Sequence, residues 1–150
     1  MPDANSVAGL VQASAAALAI SARGIVPFAA YLAVSVAFVF LHMSIYMRVT
    51  KHDEMALIRA GNAAAALAAV GTMVGLAIPL TSIVSFSGFL LEAVLWAVVA
   101  LLVQLGAYAA ARATLRDLCG RIERGEISAG LWIAGVSLTA GLLQAVCMKP

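Results

Sequence analysis

Four polar side chains that could do chemistry interrupt the long apolar stretches of this chain. They are His42, Glu92, Gln104 and Gln144. Inside a membrane such groups are costly, and they are typical of ion or proton ligands, pore linings and interhelical hydrogen bonds. Glu92 is shallow enough to reach headgroups instead, the two amides could simply join helices, and His42 could either pack or titrate near neutral pH. A polar intramembrane site and a structural role both stay open at each position.

A second group of candidates belongs to the motif Thr-x-x-Asp-x-x-x-x-Ile-x-x-Gly, which begins at Thr50 and again, 64 residues later, at Thr114. From position 50 to position 71, seven of 22 residues are identical to the residue 64 positions further on. Composition alone would give about two or three identities, so the repetition predicts two copies of one helical hairpin. The candidate residues of this loop motif are Thr50, Asp53, Glu54, Arg59, Gly61, Thr114, Asp117, Arg121 and Gly125.

The spacing within the motif predicts a short capped helix in each loop. Thr50 and Asp53 have the spacing of a capping box, with a hydroxyl at the N-cap and a carboxylate three residues later. Gly61 would end the helix in the left-handed conformation. We therefore expect helices over roughly 51–60 and 115–124. They would act as caps and interfacial anchors or, alternatively, as a paired docking or substrate surface.

The chain has no residue arrangement that is typical of an enzyme. It lacks a Ser/His/Asp or Cys/His set, a phosphate loop and paired carboxylates. Its two cysteines, Cys119 and Cys147, should fall at opposite membrane faces and do not have metal-type spacing. A net charge of +2 is too small to indicate nucleic-acid binding. We expect no catalytic residue, cofactor, metal site, disulfide or nucleic-acid partner.

Membrane helices must position these candidates. Hydrophobic residues make up 64% of the chain and charged residues 11%, about half the charge of a soluble domain. A lipid bilayer must therefore cover the excess apolar surface. The predicted fold is an all-α membrane protein with four transmembrane helices arranged as two repeated hairpins. The segments that are long enough to span a bilayer as helices are 26–47, 62–84, 88–111 and 127–147.

The N-terminal segment has a separate prediction. Residues 7–20 are apolar but short for a span, and the residues before them lack the cations of a signal peptide. We expect a short interfacial helix there, turned into the first span by Gly24 and Pro27; a fifth span is the alternative. The predicted parts of the single membrane domain are the N-terminal segment 1–24, hairpin repeat 25–87 and hairpin repeat 88–150.

The positions of the cations predict the orientation. Seven Lys and Arg residues lie in loops 48–61 and 112–126, against two in the termini and none in the loop 85–87. The positive-inside rule therefore predicts that both loops face the cytoplasm.

Small residues predict where the helices meet. In lipid, small faces mark helix contacts, and the second and fourth spans are rich in Ala and Gly. We expect these two spans to be central and the bulkier first and third spans to be outer. A pseudo-twofold axis would then run along the membrane normal, with a central groove or an oligomer face on it. The predicted packing residues are Gly71, Gly75, Gly130, Gly135 and Gly141.

Several motifs, in order, resemble those of a known family. They are Arg48-Val-Thr-Lys-His-Asp-Glu-Met-Ala-Leu-Ile-Arg-Ala-Gly-Asn, Leu91-Glu-Ala-Val-Leu-Trp and Arg121-Ile-Glu-Arg-Gly-Glu-Ile-Ser-Ala-Gly. Over about residues 25–148 the chain is similar to the YjfL-like bacterial inner-membrane proteins, the domain-of-unknown-function family numbered 350. Glu92 and Lys51 stand where many members would have Asp and Pro. The resemblance implies a four-span, internally duplicated bacterial inner-membrane protein, and it supplies no catalytic residue. Members are often encoded near proteins of the phage-shock type, which implies a role in envelope homeostasis.

Two functions stay open at this point. The first is a non-enzymatic, oligomeric structural or adaptor protein whose cytoplasmic loops bind a protein partner in envelope homeostasis. The second is a small ion or solute channel or transporter that uses Glu92, Gln104 and His42 along the pseudo-twofold axis or an oligomer axis. Lipid handling between the spans is a third, weaker hypothesis.

Overall fold

Helices account for every regular element of the described part of the chain. The computed structural model describes residues 4–50 and 53–148. Lys51 and Lys149, two of the cations that predict the orientation, lie outside the described residues. The helices α1, α3, α4 and α6 are each long and apolar enough to cross a membrane, so the predicted all-α class with four candidate spans is confirmed. The helices are α1 (Ala4–Val49), α2 (Glu54–Arg59), α3 (Ala63–Phe86), α4 (Leu90–Thr114), α5 (Leu118–Glu123) and α6 (Ile127–Cys147).

Helix α1 is longer than one bilayer crossing requires. Its apolar part, Gln12–Val49, has 38 residues, whereas a span needs about 20. The helix continues through Gly24 and Pro27. A proline inside a helix removes one backbone hydrogen bond, and a long helix can tolerate that loss. The prediction of a separate short helix over residues 7–20 is therefore wrong, while the interfacial position of these residues stays a prediction. Contacts divide the chain into two units between Ala33 and Val34.

Within the second unit, α3 and α6 form the most closely packed helix pair. An added Cβ at Gly130 would overlap the backbone of Ala64, and one at Gly141 would overlap the backbone of Gly75. Further along, the hydroxyl of Ser82 donates a hydrogen bond of 3.0 Å to the carbonyl of Ala145. Residue numbers increase together along both helices, so α3 and α6 run in the same direction. Close backbone approach through small residues is the usual packing mode of membrane helices.

The predicted packing glycines do not all lie at this contact. Gly71 meets Ala134, and Gly75 also lies against the backbone of Ser137, with an added Cβ 2.7 Å from its carbonyl oxygen. Gly135 is exposed, and no atom lies within 4 Å of an added Cβ. The prediction that Gly135 packs against another helix is therefore corrected. Gly135 is small enough for a helix contact, but it lies away from the face of α6 that contains Ala134 and Ser137.

Helix α4 packs against both α3 and α6. Its buried residues recur every three or four positions and therefore share one helix face. Most are alanines, which let α4 approach closely, and the two polar exceptions are Gln104 and Tyr108. The buried residues of this face include Ala93, Ala97, Ala100, Gln104, Tyr108 and Ala111.

The two short helices have matching ends. α2 and α5 begin and end 64 residues apart, and so do the starts of α3 and α6. After each short helix comes a glycine with positive φ, 84° at Gly61 and 78° at Gly125. The amide nitrogens of these glycines donate to the carbonyls of Ile58 and Ile122 at 3.0 and 2.9 Å. Only glycine adopts this conformation without steric cost, so the predicted helix ends at Gly61 and Gly125 are confirmed.

Candidate functional site

The strongest polar constellation lies at the end of the bundle that contains α2 and α5, called here the loop end. Asn62 lies between α2 and α3, and its side chain bonds to the end of α5. Its amide nitrogen donates to the carbonyl of Ile122 at 2.7 Å and to that of Glu123 at 3.3 Å. Its amide oxygen accepts from the backbone nitrogen of Ala65 at 3.1 Å and so caps α3. One side chain therefore caps a long helix and holds both loops together.

The cap of α2 is Asp53 and not the predicted Thr50. The Asp53 carboxylate accepts from the backbone nitrogen of Ala56 at 3.0 Å. The Thr50 hydroxyl donates back to the carbonyl of Tyr46 at 3.1 Å and ends α1. Thr114 does the same at the end of α4, donating to Ala111 at 2.9 Å. The predicted capping boxes are wrong because a threonine at the end of a long helix bonds to the preceding turn more readily than it opens a new one.

An ion-pair network covers the second short helix. Arg121 donates to the Glu126 carboxylate at 2.6 Å, and Arg124 donates to the same carboxylate at 3.1 Å and to Asp117 at 3.2 Å. The hydrogen bond from Arg121 is the largest of the causes that hold the pKa of Glu126 below its ordinary value. The carboxylates of Glu126 and Asp117 raise the pKa of Arg124. The network is partly exposed, so it shapes the charge of the surface more than it stabilises the fold.

Glu54 departs from the exposed position expected for a charged loop residue. Only 2% of its surface is exposed, and its carboxylate accepts a hydrogen bond of 2.5 Å from the hydroxyl of Tyr46. The Tyr46 ring packs edge-on against Tyr108, with centroids 5.3 Å apart. A carboxylate inside an apolar core is tolerated only when hydrogen-bonded. The Tyr46–Glu54 pair therefore fastens α2 to the end of α1.

The four polar residues at membrane depth do not form one site. The Gln104 side-chain nitrogen donates to the carbonyls of Gly75 at 2.7 Å and Ser137 at 3.2 Å. These two interhelical hydrogen bonds therefore join α4 to both α3 and α6. Glu92 lies twelve residues earlier on α4, about 18 Å along the helix, where its carboxylate accepts from the backbone nitrogen of Gly88 at 2.9 Å. This bond holds Gly88, which precedes the N-cap residue Phe89, against the first turn of α4.

Gln144 and His42 are buried in different places. Gln144 lies on the buried face of α6, near the C-terminal end of the helix, and its amide makes no hydrogen bond to a described residue. His42 is 1% exposed on α1, and none of the described residues bonds to its ring nitrogens. It lines a cavity of about 220 Å³ between α1 and α4 together with Tyr46 and Tyr108.

Sequence reasoning missed three residues that organise the loop end. Asn62 follows the glycine of the motif, where a helix N-cap is expected, and this signal could have identified it. Tyr46 lies four residues after His42 and Tyr108 four residues after Gln104, so each shares a helix face with a polar residue that was singled out. Nothing in the sequence indicates that Glu54 turns inward while Asp53 remains exposed. In the described part of the chain, no group of three or more His, Cys, Asp or Glu residues could hold a metal ion.

Comparisons with known proteins identify the family of this chain. The profile of the family described as "Domain of Unknown Function (DUF350)" matches residues 7–148. The chain is 34% identical over 121 residues to the UPF0719 inner membrane protein YjfL of Escherichia coli strain K12, an alignment that covers 81% of this chain and 92% of that protein. The YjfL protein of Escherichia coli O157:H7 gives the same values, and no solved structure matches the chain. With four apolar helices long enough to span a membrane, the chain is an integral inner membrane protein that belongs to the DUF350 family.

Proposed function

We propose that this protein is a non-enzymatic structural or adaptor protein of the bacterial inner membrane that presents its two joined loops to a cytoplasmic protein partner. The observation that carries the proposal is the bridge from Asn62 to the carbonyls of Ile122 and Glu123. Because of this bridge the two short helices form one polar surface instead of two independent loops. The exposed charged residues of that surface are Asp53, Arg59, Asp117, Glu123 and Arg124.

The proposal includes a duplicated hairpin with both loops on one side of the membrane. It is supported by the 64-residue spacing between matching helix ends and by the parallel directions of α3 and α6. The cations of the two loops support a cytoplasmic position for this surface. Assembly into a homo-oligomer is supported by exposed small residues on α1, which is Ala-rich over residues 12–24. The role in envelope homeostasis stays a prediction from the family resemblance.

The alternative channel function has less support from the geometry. A conduction path along the axis between α3 and α6 would need space, but Gly75 and Gly141 touch there through their backbones. The Gln104 side-chain nitrogen is already bonded to two backbone carbonyls, and the Glu92 carboxylate is bonded to the start of its own helix. Two of the polar residues that a channel would use, Gln104 and Glu92, thus have structural partners.

The experiment compares partner capture with ion flux. Asp53→Asn plus Asp117→Asn removes two exposed charges, and asparagine preserves the cap of α2. In cells treated with a cross-linker, we expect this double variant to lose a protein partner that the wild type captures. Thr81→Ala plus Ser85→Ala is the matched control, because both residues are exposed on α3 far from the loop end.

Flux measurements test the alternative channel function. Purified wild-type protein in liposomes is expected to conduct neither K⁺, Na⁺ nor protons above the level of empty liposomes. Flux that disappears with Glu92→Ala would overturn the adaptor function in favour of the channel. A capture pattern identical in the wild type, the double asparagine variant and the control would show that the charged surface is not the docking site.

A further inference from the structure

The cavity between α1 and α4 has the form of a groove along two helices. Its lining residues follow the spacing i, i+3, i+4, i+7 on each helix, so each helix contributes one face. Seven residues of helix correspond to a length of about 10 Å. Both faces end near the loop end, at Val49 and Arg112. The lining residues are His42, Ile45, Tyr46 and Val49 of α1 and Leu105, Tyr108, Ala109 and Arg112 of α4.

The walls of the groove are apolar although three lining residues have polar atoms in their rings or on them. The ring nitrogens of His42 and the hydroxyl of Tyr108 are covered by neighbouring atoms. The hydroxyl of Tyr46 is bonded to Glu54 at 2.5 Å. An occupant would therefore meet carbon atoms of these rings and the side chains of Ile45 and Leu105. Among the described residues that line the groove, Arg112 alone is charged, and it is exposed in the last turn of α4.

We propose that this groove binds an anionic phospholipid, with the part of one acyl chain nearest the headgroup along the apolar walls and the phosphate on the guanidinium of Arg112. The apolar length and the cation at one end match the two parts of such a lipid. An arginine pairs with phosphate through several N–H donors, and basic pockets between membrane helices bind anionic headgroups. The exposed guanidinium at the loop end lies where a bilayer would place phosphates, because α4 ends there.

The groove has room for part of one acyl chain and not for a larger occupant. Its volume of about 220 Å³ is below the roughly 300–1,000 Å³ of sites for drug-sized ligands. A partner helix, with a diameter of about 10 Å, would not enter it. A zwitterionic lipid also has a phosphate, but its own cationic group offsets that charge, so the net attraction to Arg112 is stronger for the anionic lipid.

The test measures lipid binding to the purified protein in detergent by native mass spectrometry. The probes are dioleoyl phosphatidylglycerol, which is anionic, and dioleoyl phosphatidylcholine, which is zwitterionic. For the wild type we expect the first binding event to be about five-fold tighter for phosphatidylglycerol, the contribution of one arginine near a membrane surface. Glycerol 3-phosphate, which has the phosphate without the chains, is expected not to compete.

Two substitutions separate the headgroup from the chain. Arg112→Gln is expected to bring the preference for phosphatidylglycerol close to one, whereas Arg116→Gln, the matched change of an exposed arginine outside the groove, preserves it. Ala109→Phe fills the groove and is expected to weaken both lipids about ten-fold, since several buried methylenes are lost. Ala110→Phe is its control, because Ala110 is exposed and does not line the groove.

The outcomes are decisive in both directions. Equal effects of Ala109→Phe and Ala110→Phe would overturn the groove as the chain site, and equal effects of Arg112→Gln and Arg116→Gln would overturn Arg112 as the phosphate ligand. Competition by glycerol 3-phosphate would assign the site to free phosphate esters instead of lipid. Since Ala109 and Arg112 are exposed, their variants are expected to keep the wild-type unfolding midpoint in detergent without added lipid, and this measurement is made first.

Discussion

The two copies of the loop motif share the bounds and the glycine ends of their short helices but differ at the N-caps and in what their side chains do. α2 and α5 have the same length and end at a glycine with positive φ. In the first copy the residue that begins the short helix is Glu54, buried against Tyr46; 64 residues later it is Leu118, equally buried, with 2% of its surface exposed. The same backbone position is thus occupied once by a hydrogen-bonded carboxylate and once by a hydrocarbon.

The N-caps of the short helices differ in the same way. Asp53 has an extended backbone and caps α2 with its carboxylate. Asp117 has a positive φ of 53°, makes no cap bond and pairs with Arg124. The short helices and their glycine ends are thus common to the two copies, whereas the backbone at the N-cap and the polar partners belong to each copy separately.

Exchanging the buried residues should give the largest effect. Leu118→Glu places a carboxylate in the apolar cluster that includes Ala64, Tyr108 and Ile133. The position that matches Tyr46, 64 residues later, is Ala110, so the tyrosine that pairs with Glu54 has no counterpart in the second copy. We expect the free energy of unfolding, measured by denaturant titration in detergent, to fall by about 3 kcal/mol or more. Glu54→Leu should cost less, about 1–2 kcal/mol, because leucine suits the buried position and the main loss is the acceptor of the Tyr46 hydroxyl.

Leu118→Met is the control for the size of the residue and should change the free energy of unfolding by less than about 1.5 kcal/mol. A larger loss for Glu54→Leu than for Leu118→Glu would contradict this account. It would mean that the carboxylate in the first copy stabilises the loop end more than the hydrocarbon core does in the second.

The glycines give the next effect, since Gly71 and Gly135 are also 64 residues apart but lie in different environments. Gly71→Ala would push a methyl group into Ala134, and we expect it to cost about 1–3 kcal/mol in the free energy of unfolding. Gly135→Ala adds a methyl group in open space and should be neutral or stabilise by up to about 1 kcal/mol, because alanine favours the helix. Equal destabilisation by the two changes would show that Gly135 also contacts a helix, for example in an oligomer.

These pairs also show what a repeated sequence can predict. The motif predicts Gly61 and Gly125 correctly because a left-handed helix end depends only on local backbone geometry. The spans follow from apolar length, which is a local property as well. The contact of Gly71 but not Gly135 depends on how two helices are rotated against each other, and identical residues in each copy do not determine that rotation. The inward position of Glu54 depends on a tyrosine eight residues earlier in the chain, and the groove beside Arg112 depends on the packing of two helices far apart in sequence.

Substitution of Asn62 should have a smaller effect on the free energy of unfolding, with one contribution from the cap of α3 and one from the bridge to α5. Asn62→Ala removes both the cap of α3 and the bonds to Ile122 and Glu123, and we expect a loss of about 1–2 kcal/mol in the free energy of unfolding. Asn62→Asp preserves the cap oxygen but removes the amide donors, so it isolates the bridge.

The matching residue in the second copy is Glu126, which makes no cap bond to α6. Glu126→Ala should therefore destabilise less than Asn62→Ala. If Asn62→Asp is as stable as the wild type, the two loops are not held together by this residue, and the joined surface of the proposed adaptor loses its support.

Acid should produce the smallest effect, through the ion pairs of the second copy. The hydrogen bonds from Arg121 and Arg124 hold the pKa of Glu126 below its ordinary value, so the folded protein binds a proton at Glu126 less readily than the unfolded chain does. The stability from this network is therefore fully present above the ordinary pKa of glutamate and is lost as the pH falls through the lower, folded value. The unfolding midpoints of the wild type and Glu126→Gln, measured in detergent, should differ at pH 7 and converge as the pH falls from about 5 towards 3. Molar salt should shrink the difference at pH 7 as well, because the network is partly exposed. A difference that stays constant over this range would assign the contribution of Glu126 to packing of its side chain, and the ionic character of the second copy would then play no part in its stability.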